Sequence, residues 1–171
     1  MYSYLTEYLI TVTRMSSNTV SLTLFLFGGA NIIGNIIAGR LLTSRAAATV
    51  IVFPLLLAAV YALLFFTGPI AVPMALTTVL WGILAGGIMA NLNQYLIMSA
   101  APDAPDFANG LFISACNVGT TVGAAAGGVF ISQMGTPYVI WVGILSLMLG
   151  FVTILYRSYM LAPARQLSGQ G

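Results

Sequence analysis

The sequence predicts an all-α integral membrane protein, and three observations carry that expectation. Of 171 residues, 60% are hydrophobic and only 5% charged, at a mean hydropathy of +1.02, whereas soluble domains carry about 25% charged residues. Five apolar stretches, roughly at 18–41, 46–67, 71–100, 107–131 and 137–160, each reach the ~20 residues that cross a ~30 Å hydrocarbon core as a helix. The runs are also continuous: Thr49 to Phe66 is almost wholly apolar, where a barrel strand would alternate over about ten residues.

Taken in order, the opening run Tyr2 to Val12 is too short to span and has no basic residue ahead of it, so it does not read as a signal peptide. It is expected to be the end of a helix whose beginning is missing. Counted with it, residues 1–161 form one bundle of six spans, and residues 162–171, with Pro163, Arg165 and Ser168, form a short solvated tail. Pro54 in the third span and Pro73 near the start of the fourth should bend or begin their helices. Trp81 and Trp141 lie some turns inside their spans, so neither is a clear interface anchor.

Charge orients the spans. If successive helices alternate direction, the link from Arg40 to Arg45 shares a side with Arg157 and Arg165, and Arg14 lies opposite. The positive-inside rule makes the arginine-rich side cytoplasmic, together with Ala101 to Asp106 and the C-terminus. The uncharged links Gly68 to Val72 and Gln133 to Pro137 then lie outside, as expected for a multi-pass protein of a cell's inner (plasma) membrane.

The same inventory excludes several chemistries. There is no histidine, and the one cysteine, Cys116, sits in an apolar helix as a small packing residue, so no metal site, cofactor or disulfide is expected. No Gly-x-Ser-x-Gly elbow or His-containing metal motif occurs, and an enzyme is not expected. Five arginines without a basic run do not make a nucleic-acid surface.

Polar groups separate the spans. The third and sixth are apolar nearly all round, with Thr49 and Tyr61 in one and Ser146 and Thr153 in the other, and both can face lipid. The second, fourth and fifth carry Asn31 and Asn35, then Asn91, Asn93 and Gln94, then Asn117. A carboxamide facing hydrocarbon leaves donors and acceptors unpaired, so these groups should line a cavity or bond between helices. Their sorting into three spans favours the cavity. In the fifth span Ser114, Asn117 and Thr121 form a polar stripe, whereas Gly119, Gly123 and Gly127 form a second one, expected to be a helix-packing face. Gly82, Gly86 and Ala90 repeat that small-residue stripe in the fourth span. Glu7, about two turns from Arg14, is either a proton- or cation-coupling carboxylate or an interfacial or cavity-wall polar residue.

The stretch Gly34-Asn-Ile-Ile-Ala-Gly-Arg-Leu-Leu-Thr-Ser-Arg45, with Gly39, Arg40 and Arg45 as its link motif, resembles the C-terminal copy of a major facilitator superfamily signature. Residues 101–128 resemble the eleventh span of bacterial arabinose-type and drug efflux permeases, and Tyr2 to Ser17 the end of their seventh. The chain departs from the pattern at Thr43, where an acidic residue is usual, and at Glu7, where relatives often have proline. The resemblance implies the C-terminal six-helix half of a major facilitator fold, its first helix truncated, whose partner is an N-terminal six-helix half. It further implies alternating access and proton-coupled efflux of a small organic solute or drug, with Tyr4, Glu7, Asn31, Asn35, Asn91, Gln94 and Asn117 on the substrate wall. The alternative reading is a non-transporting scaffold, or an orphan half that needs a partner.

Overall fold

The computed structural model describes the backbone of residues 2–168 and the side chains of residues 2–156. The described residues are overwhelmingly helical with no strand, and four helices are long and apolar enough to cross a membrane. The first of these four is really two. Helix α2 runs Ser17–Thr67, and its 51 residues would make a straight rod of about 77 Å, more than twice a bilayer core. One residue, Arg45, leaves helical geometry at φ −146°, ψ 47°. The chain folds back there: Phe27 before the break and Leu57 after it share a cluster with Trp81, while Ala38 and Phe53 share another with Ile88 and Leu92.

Local chemistry explains the position of the break. Thr43 donates to the carbonyls of Gly39 and Arg40 at 2.9 and 3.0 Å, and Ser44 donates to Arg40 at 2.7 Å. Such back-bonding of hydroxyls to carbonyls one turn earlier competes with the backbone ladder and favours a bend, here just ahead of Arg45. Pro54 lies inside the second segment without a departure from helical angles, so the sharp bend is at Arg45.

Ahead of α2, a 3₁₀ turn at Tyr2–Tyr4 leads into α1, Leu5–Thr11. Tyr8 is fully buried, and its hydroxyl donates to the Leu64 carbonyl at 3.4 Å. A Cβ at Gly68 would collide with that same tyrosine, so Gly68 is what admits the ring. Arg14 takes the left-handed conformation, φ 57°, to turn the chain, and Ser16 caps α2 by accepting from the Thr19 amide.

The fourth span is α3 (Ala71–Trp81), a π-helical segment (Gly82–Met89) and α4 (Ala90–Ala100) in direct succession. It packs against the first segment of α2 through glycine. A Cβ at Gly34 would lie 2.8 Å from the Gly87 Cα, and one at Gly82 would lie 2.8 Å from the Phe27 carbonyl oxygen. In a bilayer apolar burial alone gives little reason for helices to associate, so dispersion from such close approach must supply it. The expectation of a small-residue packing face in this span is met at Gly82 and Gly86.

Helix α5 runs Pro105–Met134 and ends at Gly135, whose φ of 100° suits a residue without a Cβ. A 3₁₀ turn, Thr136–Tyr138, then enters α6, Val139–Ser168. The α6 backbone is helical as far as Ser168, so the stretch expected as a tail begins inside this helix. The side chains of that stretch, with those of Arg157 and Arg165, lie outside the described residues. Leu55, Leu63, Leu149 and Val152 are exposed, as lipid-facing groups of the third and sixth spans should be. Each of those spans also has an inward face, which bears on the site.

Candidate functional site

Two adjoining cavities open between these helices, and Ala85 and Cys116 line both. The larger, about 840 Å³, has an aromatic wall of Tyr2, Phe27, Tyr61 and Trp81. Phe27 and Trp81 stand 5.3 Å apart between ring centroids, and Tyr61 meets Trp81 edge-on at 5.8 Å. Opposite them, α5 presents Cys116, Gly119, Thr120, Gly123 and Ala124, one face of a helix at spacings of three and four. The smaller cavity, about 530 Å³, is lined by Asn35, Asn91, Asn93 and Gln94 among others. Among the described residues, no charged side chain lines either.

The predicted carboxamides divide between these spaces. Asn91 donates through its amide nitrogen to the Asn35 side-chain oxygen and, at 2.7 Å, to the Gly87 carbonyl. Those two bonds use both amide hydrogens of Asn91 and tie α4 to α2 across the end of the π-helical segment. Asn35 and Asn91 therefore serve as interhelical glue and as cavity wall together, and Gln94 lies on the same wall. Asn31 belongs to the larger cavity, its carboxamide lying on Gly86 where any Cβ would collide with it.

The other predicted residues are placed differently. Asn117 is exposed and lines neither cavity, because α5 turns the neighbouring stripe inward. Correspondingly, at Gly119 and Gly123, where packing was expected, no atom of the described residues lies within 4 Å of a Cβ built at either. Of that stripe only Gly127 makes a close approach, to the Tyr4 ring and Val139. Tyr4 is removed from the cavity wall for the same reason: its hydroxyl donates to the Ala124 carbonyl at 2.7 Å and fastens the 3₁₀ turn to α5. Glu7 is exposed on α1 and lines neither cavity. Cys116 is exposed to the cavities and is not the packing residue expected. Gly39, Arg40 and Arg45 close the first segment of α2 as described and line neither cavity, although Asn35, one turn before Gly39, lines the smaller one.

Comparison with known proteins places this geometry. The family profile described as Major Facilitator Superfamily matches residues 1–170. The chain belongs to the major facilitator superfamily. A probable sugar efflux transporter of Helicobacter pylori is 32% identical over 161 residues, covering 91% of this chain and 41% of the relative. One from Helicobacter acinonychis is 30% identical over 142 residues, covering 83% and 36%. An uncharacterized MFS-type transporter of Bacillus subtilis is 32% identical over 146 residues, covering 84% and 37%. The chain thus spans about two fifths of the length of the curated relatives it matches.

The superfamily is one of membrane transport proteins, and these relatives are named as transporters, not as enzymes. The chain's aromatic wall was missed in the sequence, because Trp81 was read only as lying some turns inside its span and Tyr61 as belonging to a span that can face lipid. The available signal was modest: Trp81 immediately precedes Gly82 and stands five residues ahead of Gly86, which seat that turn against α2. Tyr61 was visible as one of only two polar groups in its span, but not its direction. It packs against Gly143 of α6, where a Cβ would meet the ring at 2.6 Å, and so brings the third and sixth spans to the cavity wall.

Proposed function

We propose that this chain supplies one half of the solute path of a secondary transporter that exports a small uncharged organic solute by alternating access, in exchange for protons. The observation that carries the reading is the pair of adjoining cavities, walled by carboxamides, hydroxyls and aromatic rings with no charged side chain among the described residues, in a major facilitator chain. An ion entering such walls would lose hydration without a counter-charge, whereas a neutral solute would not. The names of the relatives as sugar efflux transporters make a sugar the first candidate.

The helices divide into parts suited to rocking. The glycine seam and the Asn35–Asn91 bond hold α2 to the fourth span as one body, while α5 shows the cavity an open glycine face that a solute can approach closely. A further six-helix half would close the other side of the path. The arginine distribution supports a cytoplasmic Arg40–Arg45 end in a plasma membrane. For coupling, Glu7 is the carboxylate this chain offers, on an exposed face of α1 open to such a half.

Cys116 provides the test, as the only cysteine of these 171 residues and a member of both cavity walls. In the full-length carrier with other cysteines replaced, a transported solute is expected to slow maleimide labelling of Cys116 at least severalfold. Labelling that no transported solute alters would overturn the assignment of the path. Glu7→Gln should abolish uphill, proton-driven efflux while sparing downhill exchange; full uphill efflux would remove Glu7 from the coupling step.

A further inference from the structure

The bend between the second and third spans holds two arginines that have no counter-charge among the described residues. Arg40 and Arg45 are both exposed. Glu7, Asp103 and Asp106 are the only acidic side chains of these 171 residues, all three lie on other elements, and no ion pair forms among the described residues. The hydroxyls of Thr43 and Ser44 beside the arginines donate to carbonyls of their own helix.

The helix period gives the direction of this end. Ala38 is fully buried and clusters with Ile88 and Leu92 of the fourth span. Arg40, two residues on, is turned about 200° from it at 3.6 residues per turn, away from the bundle. Ile33, Ile36 and Ile37 lie one and two turns earlier on the same side as Arg40, and all are exposed. Beyond the bend Ile51, Val52 and Leu55 are exposed as well. The arginines thus end two apolar surfaces.

Length gives the depth. From Ser17 to Ser44 the first segment of α2 is about 42 Å long at ~1.5 Å per residue, the thickness of a bilayer with its headgroups, ~40–45 Å. With Ser17 at one surface, Arg40 and Arg45 stand among the headgroups of the opposite leaflet. The anion abundant at that depth is phosphate, which a guanidinium meets with paired N–H donors.

We infer that Arg40 and Arg45 form a docking surface for an anionic phospholipid, whose phosphate takes the guanidinium donors while its acyl chains lie along Ile33, Ile36 and Ile37. A zwitterionic lipid has the same phosphate but also a cation that offsets it, so a headgroup of net negative charge is selected. The isoleucines are what a free phosphate would leave unused. Lipid bound there braces the joint at Arg45, where the chain leaves helical geometry. The inference concerns a partner other than the transported solute and goes beyond the proposed function.

The test uses the full-length carrier in mixed micelles, with fluorescent phosphatidylglycerol and phosphatidylcholine of equal acyl length as competing probes. Wild-type carrier should prefer phosphatidylglycerol. Arg40→Gln and Arg45→Gln should each lower that preference about fivefold, the factor to which ~1 kcal/mol per arginine near an anionic surface converts. Phosphatidylglycerol should also raise the melting temperature of the wild type and not that of the double variant. If the double variant does not accumulate, the two single variants carry the test. Arg14→Gln removes the same charge from the opposite end of that segment and should change the preference far less. Equal losses in Arg14→Gln and Arg40→Gln would reduce the effect to net charge and overturn the site. So would a wild-type carrier without preference, the result expected if another protein segment covers this face. Displacement of the labelled lipid by glycerol 3-phosphate as effectively as by phosphatidylglycerol would overturn the lipid assignment, because the acyl chains would then contribute nothing.

Discussion

Two glycine stripes with the same spacing have opposite uses in this molecule. Gly82 and Gly86 of the fourth span face α2, where any Cβ would strike the Phe27 carbonyl or the Asn31 carboxamide. Gly119 and Gly123 of α5, also four residues apart, face open space and line the larger cavity. In the first case the missing side chain lets two helices touch; in the second it leaves volume for something that is not protein. A four-residue glycine repeat in a membrane helix thus marks a face on which size matters, and its neighbours decide whether a helix or a solute comes close.

The sharpest challenge to this contrast is substitution within each stripe. Gly87→Val places a branched side chain against the Gly34 backbone, which cannot rotate away, and should cost upwards of about 3 kcal/mol. Folded protein should be nearly lost, as read by monodisperse recovery in detergent. Gly123→Leu should instead leave recovery unchanged and cut transport about tenfold or more by filling the cavity, a loss of ~1.4 kcal/mol or more of productive binding. Loss of folded Gly123→Leu protein at wild-type expression would restore the packing reading of α5.

Smaller effects sharpen the boundary between packing and cavity along α5. Tyr4→Phe removes the hydroxyl that donates to the Ala124 carbonyl and should lower thermal stability by about 1 kcal/mol, with transport of the remaining folded protein intact. Transport lost at full stability would return Tyr4 to the solute wall. The least perturbing change is Gly119→Ala: with no atom within 4 Å, the added methyl should be neutral or stabilise the helix by up to about 1 kcal/mol. A measurable destabilisation would mean that α5 packs more tightly there than the open face implies.

Much of the fold was legible residue by residue. The apolar runs located the spans because hydrocarbon demands internally satisfied backbone over a fixed length. The Arg40 to Arg45 link marked the reversal in α2, and Gly82 and Gly86 the seam, since only small residues allow such approach. Of the seven residues read as one substrate wall, Asn35, Asn91 and Gln94 line the smaller cavity and Asn31 the larger. The inward stripe of α5, the removal of Tyr4 and Asn117 from the wall, and the cavity positions of Trp81 and Tyr61 were not legible.

The division follows from the solvent. In water, an amphipathic pattern both defines a helix face and orients it, because apolar surface leaves water and polar surface stays. In a bilayer, lipid and protein interior are similarly apolar, so periodicity says which residues share a face without saying what that face meets. The sequence by itself therefore determined the class, the spans, the break and the family resemblance. Only the tertiary structure decided which glycines are touched by a helix and which are left for a solute. It also decided that Trp81 and Tyr61 stand in the wall of the larger cavity, because those facts depend on how close neighbouring backbones come.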